Sequence, residues 1–459
     1  MGHPAPVGAR DMHAANGSAV RMRPNGRPSD IHDARRGMDI HNNLGGGRRV
    51  MVERPDHSRL YFERGRPGYI SHPYMYGGHE FARRTYYWHG RAYDRFYRPY
   101  GFHGIGLEVY APVRFYPIGF YGWAYHPWAV GISYGWGWGA APWYGYYGGA
   151  YFSPYPVYAG PNYWLTDYLI SQSLQAQYEA QVAAGAPPPP MDSQAQLSPE
   201  VKQQIADEVQ RQLALESSEA QQNAAGQMPD PGSSGIARML SDGAPHVFVA
   251  GKEVDVTDAS GQECAVTEGD VLQLAGPPGP NDTTASLVVV ASKGGPDCHR
   301  RAVVQVAFDD LQDMQNHMRE TVDQGLEDLQ AKQGQGGLPR APASAMAPPT
   351  TAAMAQDAPP PDPAGAADLN AQAAQADQSE KDVLGATSGG GQGPSAGDGA
   401  IPADAAPAPV VSIQMGQSVD QVQSELGAPT KVVNLGAKAI YFYKDMKVTF
   451  INGKVTNIE

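Results

Sequence analysis

The sequence predicts a multi-module α+β protein in which small antiparallel β units and helices are joined by flexible linkers. Gly and Pro, with 54 and 40 residues, make up about a fifth of the 459 positions, which disfavours one large core. Short alternating strand patterns with glycine-containing turns recur in two parts of the chain, and helical periodicity appears in others. Charge and aromatic residues are also distributed unevenly.

The charge is split along the chain. Residues 1–126 contain 18 Arg, no Lys and 10 acidic residues, which gives +8, so the remainder sums to −21 within the net charge of −13. A basic region beside an acidic one indicates an anionic partner. Lipopolysaccharide, lipid headgroups, an acidic glycan and nucleic acid all fit this charge.

The first module follows a polar arm. Residues 1–47 show neither helical nor alternating periodicity and are predicted to be a disordered basic arm. Residues 48–111 read as antiparallel β repeats, with turns at Gly77-Gly78, His89-Gly90 and His103-Gly104. We expect Tyr and Phe to pair across these strands and Arg to face outward.

The next segment, 112–162, is rich in Tyr, Trp, Gly and Pro. Residues 115–166 contain no Asp, Glu, Lys or Arg. Such rings either form a structural core or self-association surface, or they bind carbohydrate or a lipid surface. Nearby arginines form either a solvated strand face or an anion-binding stripe. The candidate ligand-binding residues are Trp123, Trp128, Trp136, Trp138, Trp143, Tyr144, Arg83, Arg84 and Arg95.

Three helices are predicted, over residues 163–184, 197–222 and 309–333. The second has an N-cap at Ser198, Pro199 in its first turn, and apolar residues at i+4 steps from Val201. Apolar stripes on solvated helices indicate packing on a neighbour or on a second copy of the chain.

Residues 236–308 are predicted to form a compact β barrel. The stretch from Glu268 to Leu274 resembles the turn and following strand of bacterial SH3-like domains. The resemblance implies binding of peptides or cell-wall peptide stems. The aromatic groove of that family is missing, since Phe248 and Phe308 are the aromatic residues of this region.

The two cysteines, Cys264 and Cys298, lie in this β region. They are either a disulfide, which implies an oxidising compartment, or two reduced thiols of a cytosolic protein. No signal-peptide pattern is visible in residues 1–25 and no apolar run is long enough for a transmembrane helix. We expect a leader upstream and an extracytoplasmic location in the periplasm, outer membrane or cell surface.

The C-terminal part consists of a disordered Ala/Pro/Gly linker, 334–409, and a small α+β domain, 410–459. A capping box at Ser418 starts a helix, and strands follow at 431–435, 439–443, 447–451 and 454–458. The motifs Met415-Gly416-Gln417-Ser418, Leu426-Gly427-Ala428-Pro429, Tyr441-Phe442-Tyr443 and Phe450–Val455 resemble SmpA/OmlA-type domains. That family includes an outer-membrane assembly lipoprotein, so the resemblance implies a scaffold role in the envelope. The N-terminal half resembles uncharacterised Tyr/Gly-rich bacterial envelope proteins.

Motifs that would indicate catalysis or metal binding occur without the surrounding residues that such sites need. Ser133 lies in a G-x-S-x-G sequence, but a glycine- and tryptophan-rich loop follows where a hydrolase needs a helix. A His/Asp cluster at Asp30, His32, Asp33, Asp39 and His41 has no standard metal-ligand spacing. The turn histidines His79, His89 and His103 could form a ligand ring only if their turns met at one edge. We therefore expect no catalytic residue, no metal site and no cofactor.

These observations predict a non-enzymatic structural or interaction protein of the cell envelope. The alternative is a surface protein that binds carbohydrate or peptidoglycan through Trp and Tyr platforms. The partner would be an envelope protein, a glycan or a lipid surface, and self-association through the helices is a further expectation. Nucleic acid is disfavoured, although interleaved Arg and Tyr also suit single strands.

Overall fold

A computed structural model describes residues 5–185, 191–192, 195–295, 297–388, Val422, 431–435, 438–442, 447–451 and 454–458. The chain divides into two compact units, residues 1–393 and residues 394–459. The fold class is mixed α+β with large antiparallel sheets, which confirms the coarse prediction.

The N-terminal part forms a ten-stranded antiparallel sheet in which each strand pairs with its neighbours in sequence. Glycines at positive φ occupy the turns, as at Gly17, Gly26 and Gly90, because glycine has no Cβ to clash in the left-handed region. The meander predicted around the three later turns is confirmed. The strands are β1 (Arg10–His13), β2 (Ala19–Met22), β3 (Pro28–Asp33), β4 (Met38–Asn42), β5 (Arg48–Glu53), β6 (Arg59–Glu63), β7 (Gly68–Tyr76), β8 (His79–Trp88), β9 (Arg91–Phe102) and β10 (Ile105–Ala111).

The sheet begins at Arg10, which corrects the expectation of a disordered arm over residues 1–47. Strands β2–β4 are short and polar, so their alternation is weak in the sequence. Val20, Ile31 and Ile40 are nevertheless buried on one face, where a helix formed by residues 365–388 covers them. The Asn16-Gly17 and Asn25-Gly26 turns were the sequence signal for these hairpins.

The aromatic segment folds into a core. It contains the two-residue strand β11 (Arg114–Phe115) and the short helices α1 (Ile118–Tyr125) and α2 (Pro142–Tyr147). Pro142 stands in the first turn of α2, where its missing N–H is not needed. Tyr151, Phe152 and Tyr158, which lie between α2 and the helix that begins at Pro161, are fully buried in the main hydrophobic cluster. The buried rings of this segment therefore form part of the core of the larger unit.

The three predicted helices are confirmed. They are α3 (Pro161–Ala184), α4 (Pro199–Ala224) and α7 (Phe308–Lys332), with single turns α5 (Pro231–Ser234) and α6 (Ile236–Met239) between them. The Ser198 hydroxyl accepts a hydrogen bond from the Val201 backbone N–H at 3.3 Å, as the N-cap prediction requires. Leu169 of α3, Val209 of α4 and Val322 of α7 are buried in one cluster, so the apolar stripes pack on each other within the chain.

The central β region is an open six-stranded antiparallel sheet in the order β12-β15-β16-β17-β13-β14. Its edges are β12 and β14, and no closed barrel forms among the described residues, so the expected SH3-like barrel is not seen. The Cys264–Cys298 disulfide ties the edge strand to the loop before β17. The strands are β12 (Val247–Val249), β13 (Val254–Asp258), β14 (Glu263–Val266), β15 (Val271–Leu274), β16 (Thr284–Ala291) and β17 (Val303–Ala307).

The described part of the predicted linker, residues 334–388, is structured, which corrects the expectation of a tether there. Strand β18 (Thr350–Thr351) pairs with β11, and the short helix α8 (Ala353–Gln356) follows. Helix α9 (Gly365–Ser388) packs across strands β2–β7. The reason is a sparse apolar stripe, Leu369, Ala376 and Val383, that matches the apolar face of the sheet. Residues 389–409 of the predicted linker lie outside the described residues.

The second unit contains a four-stranded antiparallel meander of β19 (Lys431–Leu435), β20 (Lys438–Phe442), β21 (Lys447–Ile451) and β22 (Lys454–Ile458). Three of these four strands match the predicted bounds, and β20 is shifted by one residue. Ile451 pairs with Lys454, as the predicted two-residue hairpin requires. The predicted helix from Ser418 lies outside the described residues except for Val422, which is helical and buried.

Candidate functional site

The predicted ligand-binding tryptophans belong to the interior. Trp128 and Trp143 are buried, whereas Trp123, Trp136, Trp138 and Tyr144 are partly buried against the same cluster. Trp136 is stacked between Trp138 and Trp164, with ring centroids 4.3 and 4.7 Å away. Its Nε1 donates a hydrogen bond to the Tyr158 hydroxyl at 2.6 Å. Of the two interpretations of this segment, the geometry fits a structural aromatic core.

The three predicted arginine sites are ion-paired. Arg83 contacts Asp94 at 2.7 Å, and Arg84 contacts Glu108 at 2.6 Å. The Arg84 guanidinium also lies 3.9 Å from the centroid of the Tyr97 ring, a cation–π contact. Arg95 pairs with Glu320 on α7. These guanidinium groups therefore connect strands and helices of the fold.

This pairing extends over the basic region. At least eleven of the 18 arginines in residues 1–126 form ion pairs with carboxylates. Seven pair with residues beyond 250, as in Arg36 with Asp382 and Arg66 with Glu268. The positive charge predicted to attract an external anion is thus neutralised in large part by the acidic half of the same chain.

Ser133 does not form a hydrolase elbow. It is exposed, and its hydroxyl donates to the Pro156 carbonyl at 3.3 Å. A single 3₁₀ turn at Trp138–Ala140 stands where the helix after a nucleophile elbow would be. The motif is part of a glycine-rich loop.

A second serine contacts a histidine in the core. Ser173 of α3 lies 3.0 Å from Nε2 of His317 on α7. The Ser173 hydroxyl donates to the Leu169 carbonyl, so the imidazole Nε2–H is the donor to the serine, opposite to the direction that general-base catalysis needs. Burial lowers the pKa of His317 to about 4, which keeps the ring neutral. The contact is structural.

The predicted His/Asp cluster forms cross-strand pairs. His32 contacts Asp39 at 2.7 Å, and His41 contacts Asp30 at 2.7 Å and Asp255 of β13 at 3.1 Å. These carboxylates raise the pKa of His41 despite its burial. No group of three or more metal-ligating side chains with suitable geometry occurs among the described residues.

The turn histidines do not meet. In a meander, consecutive turns alternate between the two ends of the sheet, so the β8–β9 turn with His89 lies opposite the turns next to His79 and His103. His89 and His103 instead take a positive φ of 47° in their turns. Histidine suits these positions as a turn residue, which was the simpler interpretation.

Buried acids between α4 and α7 form a second polar cluster. The Arg319 guanidinium, fully buried, contacts Glu219 at 2.5 Å and the Tyr110 carbonyl at 3.0 Å. The Tyr110 hydroxyl donates to Asp323 at 2.7 Å. Burial and the neighbouring carboxylates raise the pKa of Asp323 to about 6 and raise that of Glu216 well above its ordinary value. The two acids therefore keep a proton to higher pH than they would in solvent.

Two cavities lined by both polar and apolar groups lie against the N-terminal sheet. The smaller, about 290 Å³, is lined by Arg49, Tyr61, Tyr69 and Lys252, together with carboxylates that include Asp313. The larger, about 680 Å³, is lined by the β4–β5 turn, the end of β6 and the turn after it, the end of α3, loops of the central sheet and α9. The larger volume is in the range of small-molecule sites.

No family model, curated protein or solved structure matches this chain. The site assignment consequently rests on the geometry of the chain itself. None of the described helices is long and apolar enough to cross a bilayer. The large cleft could not be predicted from the sequence because its walls come from seven separated segments, and one of them, helix α9, was expected to be a linker.

Proposed function

We propose that this protein is a non-enzymatic structural or interaction protein of the bacterial cell envelope, located outside the cytoplasm. The supporting observation is that buried ion pairs join the N-terminal sheet to the central sheet, as in Arg23 with Asp255 and with Glu263, both at 2.7 Å. These ionisable groups pair with one another and connect the two sheets, as expected for a rigid scaffold.

The extracytoplasmic location is supported by the Cys264–Cys298 disulfide. Disulfides persist in oxidising compartments and are rare in the cytosol of mesophiles. The resemblance of the C-terminal residues to SmpA/OmlA-type domains supports the same location. The envelope assignment rests on these independent features together.

The C-terminal unit is the proposed contact module. Its four-stranded meander has β19 and β22 at its edges, and each edge has unpaired backbone groups on one side within the described sheet. An edge strand can pair with a strand of another protein. We propose that the scaffold contacts an envelope partner through this unit, as the SmpA/OmlA resemblance implies.

The alternative, a glycan-binding protein with aromatic platforms, has less support. Exposed, coplanar rings are needed for stacking on sugars, whereas Trp136 and Trp143 pack on other rings. Retention on purified peptidoglycan that is saturable and is lost in Trp136→Ala, without loss of folding, would favour this alternative.

The experiment combines thiol trapping with fractionation of cells that express the protein from its native gene. Intact cells are quenched with acid, and free thiols are alkylated with a mass tag before and after reduction. We expect Cys264 and Cys298 to be tagged only after reduction, in the envelope or periplasmic fraction.

Two results would overturn the proposal. The first is tagging of both cysteines before reduction in a cytosolic fraction. The second is a hydrolase activity of the purified chain that Ser133→Ala abolishes, since the scaffold role requires no turnover. For a measurement of binding to an envelope partner, the matched control is a chain that lacks residues 394–459, because those residues form a separate compact unit.

A further inference from the structure

The cleft of about 680 Å³ has one wall of small residues and one of carboxylates, and Arg48, Arg64 and Arg66 also line it. Arg48 pairs with Asp377 and Glu380, and Arg66 pairs with Glu63 and Glu268, so two of these three charges are already neutralised within the chain. Ala180 and Ala184 of α3, Ala373 and Ala374 of α9 and the glycines of the β4–β5 turn form the small wall. Glu253, Glu268 and Asp297 from loops of the central sheet lie on the other. Such a cleft offers both apolar contact and hydrogen-bond acceptors.

Two of these carboxyl groups accept no hydrogen bond from a cationic side chain in the described part of the chain. Glu268 pairs with Arg66. Glu253 accepts a hydrogen bond from the Gly45 backbone N–H at 2.7 Å, and no Lys, Arg or His in the described part of the chain lies within 4 Å of it. Asp297 is buried and accepts from the Thr267 hydroxyl at 3.0 Å, while the Lys293 ammonium is 3.8 Å away. Both carboxyl groups have acceptor capacity left over.

A buried amide beside Glu253 is also unpartnered. Asn43 is 5% exposed, and neither its side-chain oxygen nor its nitrogen has a hydrogen-bond partner. A Cβ on Gly47, a residue of the cleft wall, would stand 2.9 Å from the Asn43 amide nitrogen and 3.6 Å from a Glu253 oxygen. The Gln181 side-chain oxygen, in the same wall, lacks a partner as well. Unpaired buried polar groups cost about 1–3 kcal/mol each, so a ligand that supplies N–H donors would relieve this cost.

We propose that this cleft binds a linear aliphatic cation with two or more ammonium groups. Glu253 and Asp297 accept hydrogen bonds from the ammonium groups, and the Gln181 oxygen adds a neutral acceptor. The methylene chain of the ligand lies along the alanine wall. This binding activity is separate from the proposed scaffold function and does not depend on the location of the protein.

The ionisation of the cleft is consistent with a cationic ligand. Burial, with Asp255 and Glu63 nearby and Arg49 opposing, raises the pKa of Glu253 to about 7. Burial beside Asp270 raises the pKa of Asp297 to about 8, against the opposing charge of Lys293. A bound cation favours the ionised carboxylates, so binding releases protons and becomes tighter as pH rises.

The test is isothermal titration calorimetry of the full chain with spermidine and 1,4-diaminobutane, at pH 6.5 and 8.5. Butane-1,4-diol and succinate are the neutral and anionic probes. We expect saturable binding of both amines, at least threefold tighter at pH 8.5, and no binding of the diol or of succinate. Glu253→Gln and Asp297→Asn should each weaken spermidine binding at least tenfold. Glu80→Gln, which changes an exposed acid on β8, should bind within twofold of the unaltered chain.

A second variant covers the case in which a buried-acid variant fails to fold. Ala374→Leu places a larger side chain at an exposed position of the alanine wall and should weaken binding without a change of charge. The absence of saturable amine binding, equal affinity in all the variants, or binding of succinate would each overturn the proposal. None of these outcomes bears on the thiol-trapping result, so the two proposals fail separately.

Discussion

Arg23 and Asp255 form a buried ion pair across 232 positions of sequence, with 2.7 Å between guanidinium nitrogen and carboxylate oxygen. Arg23 lies just after β2 and Asp255 lies in β13, so the pair links the N-terminal sheet to the central one. His41 and the Leu44 backbone N–H contact the same carboxylate. Asp255 is thus the central acceptor of this contact between sheets.

Removal of Arg23 should destabilise the larger unit. Arg23→Leu leaves the Asp255 carboxylate buried with less compensation, so we expect a loss of about 3–5 kcal/mol in the free energy of unfolding. Urea denaturation followed by tryptophan fluorescence measures it. The control is Arg27→Leu, at an exposed position in the same β2–β3 connection. It should change this free energy by less than about 0.5 kcal/mol. Equal effects of the two substitutions would contradict the buried pair.

Helix α9 should protect the N-terminal sheet from hydrogen exchange. Leu369 is buried against this sheet, so Leu369→Ala should cost about 2–4 kcal/mol of local stability. We expect faster amide exchange in strands β2–β7, measured by mass spectrometry, with little change in the central sheet. Gln375→Ala, at an exposed position of the same helix, is the control. Unchanged exchange in Leu369→Ala would mean that α9 does not cover the sheet.

The aromatic segment should behave as a core. Trp136→Ala removes a ring stacked between two others, so we expect a loss of about 3–5 kcal/mol in unfolding free energy and a weaker near-UV circular dichroism signal. Val130→Ala, at a side chain that is 74% exposed, should change stability by less than about 0.5 kcal/mol. A Trp136→Ala protein of unaltered stability would support the platform interpretation instead.

Stability should fall as pH rises through the acids between α4 and α7. Burial raises the pKa of Asp323 to about 6 and raises that of Glu216 well above its ordinary value, so the folded state keeps protons that the unfolded chain releases. Burial of Glu216 and Asp323 therefore does not lower the stability of the fold below the pKa of these acids in the unfolded chain, about 4, and it destabilises the fold increasingly above that pH. Glu216→Gln should raise the melting temperature by roughly 2–4 °C at pH 8 and have little effect at pH 5.

Differential scanning calorimetry at both pH values tests this prediction. Glu80→Gln is again the exposed control, with no expected difference between the two pH values. A Glu216→Gln protein that is less stable at pH 8 than the unaltered chain would show that the ionised carboxylate is needed.

Much of the local structure could be predicted from the sequence because the signals were strong and short-range. The capped helix starting at Pro199 and the strand pair joined at residues 452–453 follow from side-chain and turn chemistry within a few residues. Strands β1–β4 and helix α9 could not be predicted in the same way. Their apolar residues are sparse, and each becomes stable only against the other, more than 300 residues away in sequence.

The candidate site was less accessible to sequence reasoning. Trp136 and Arg95 stand out by composition, but whether they are exposed or paired depends on contacts with Trp164 and Glu320 that no local pattern contains. The cysteine pair was anticipated because both residues fall in one small β region. The cleft around Glu253 arises only when the segments of its walls are brought together.

The late position of helix α9 affects how the chain emerges from the ribosome. Ile70 completes the apolar face of strands β2–β7, yet Val383, which covers part of that face, is made more than 300 residues later. At synthesis rates of about 5–20 residues per second, the face stays uncovered for roughly 15–60 s. We expect a nascent chain in this state to be bound by a chaperone or an export factor that shields its aliphatic side chains until α9 has been made.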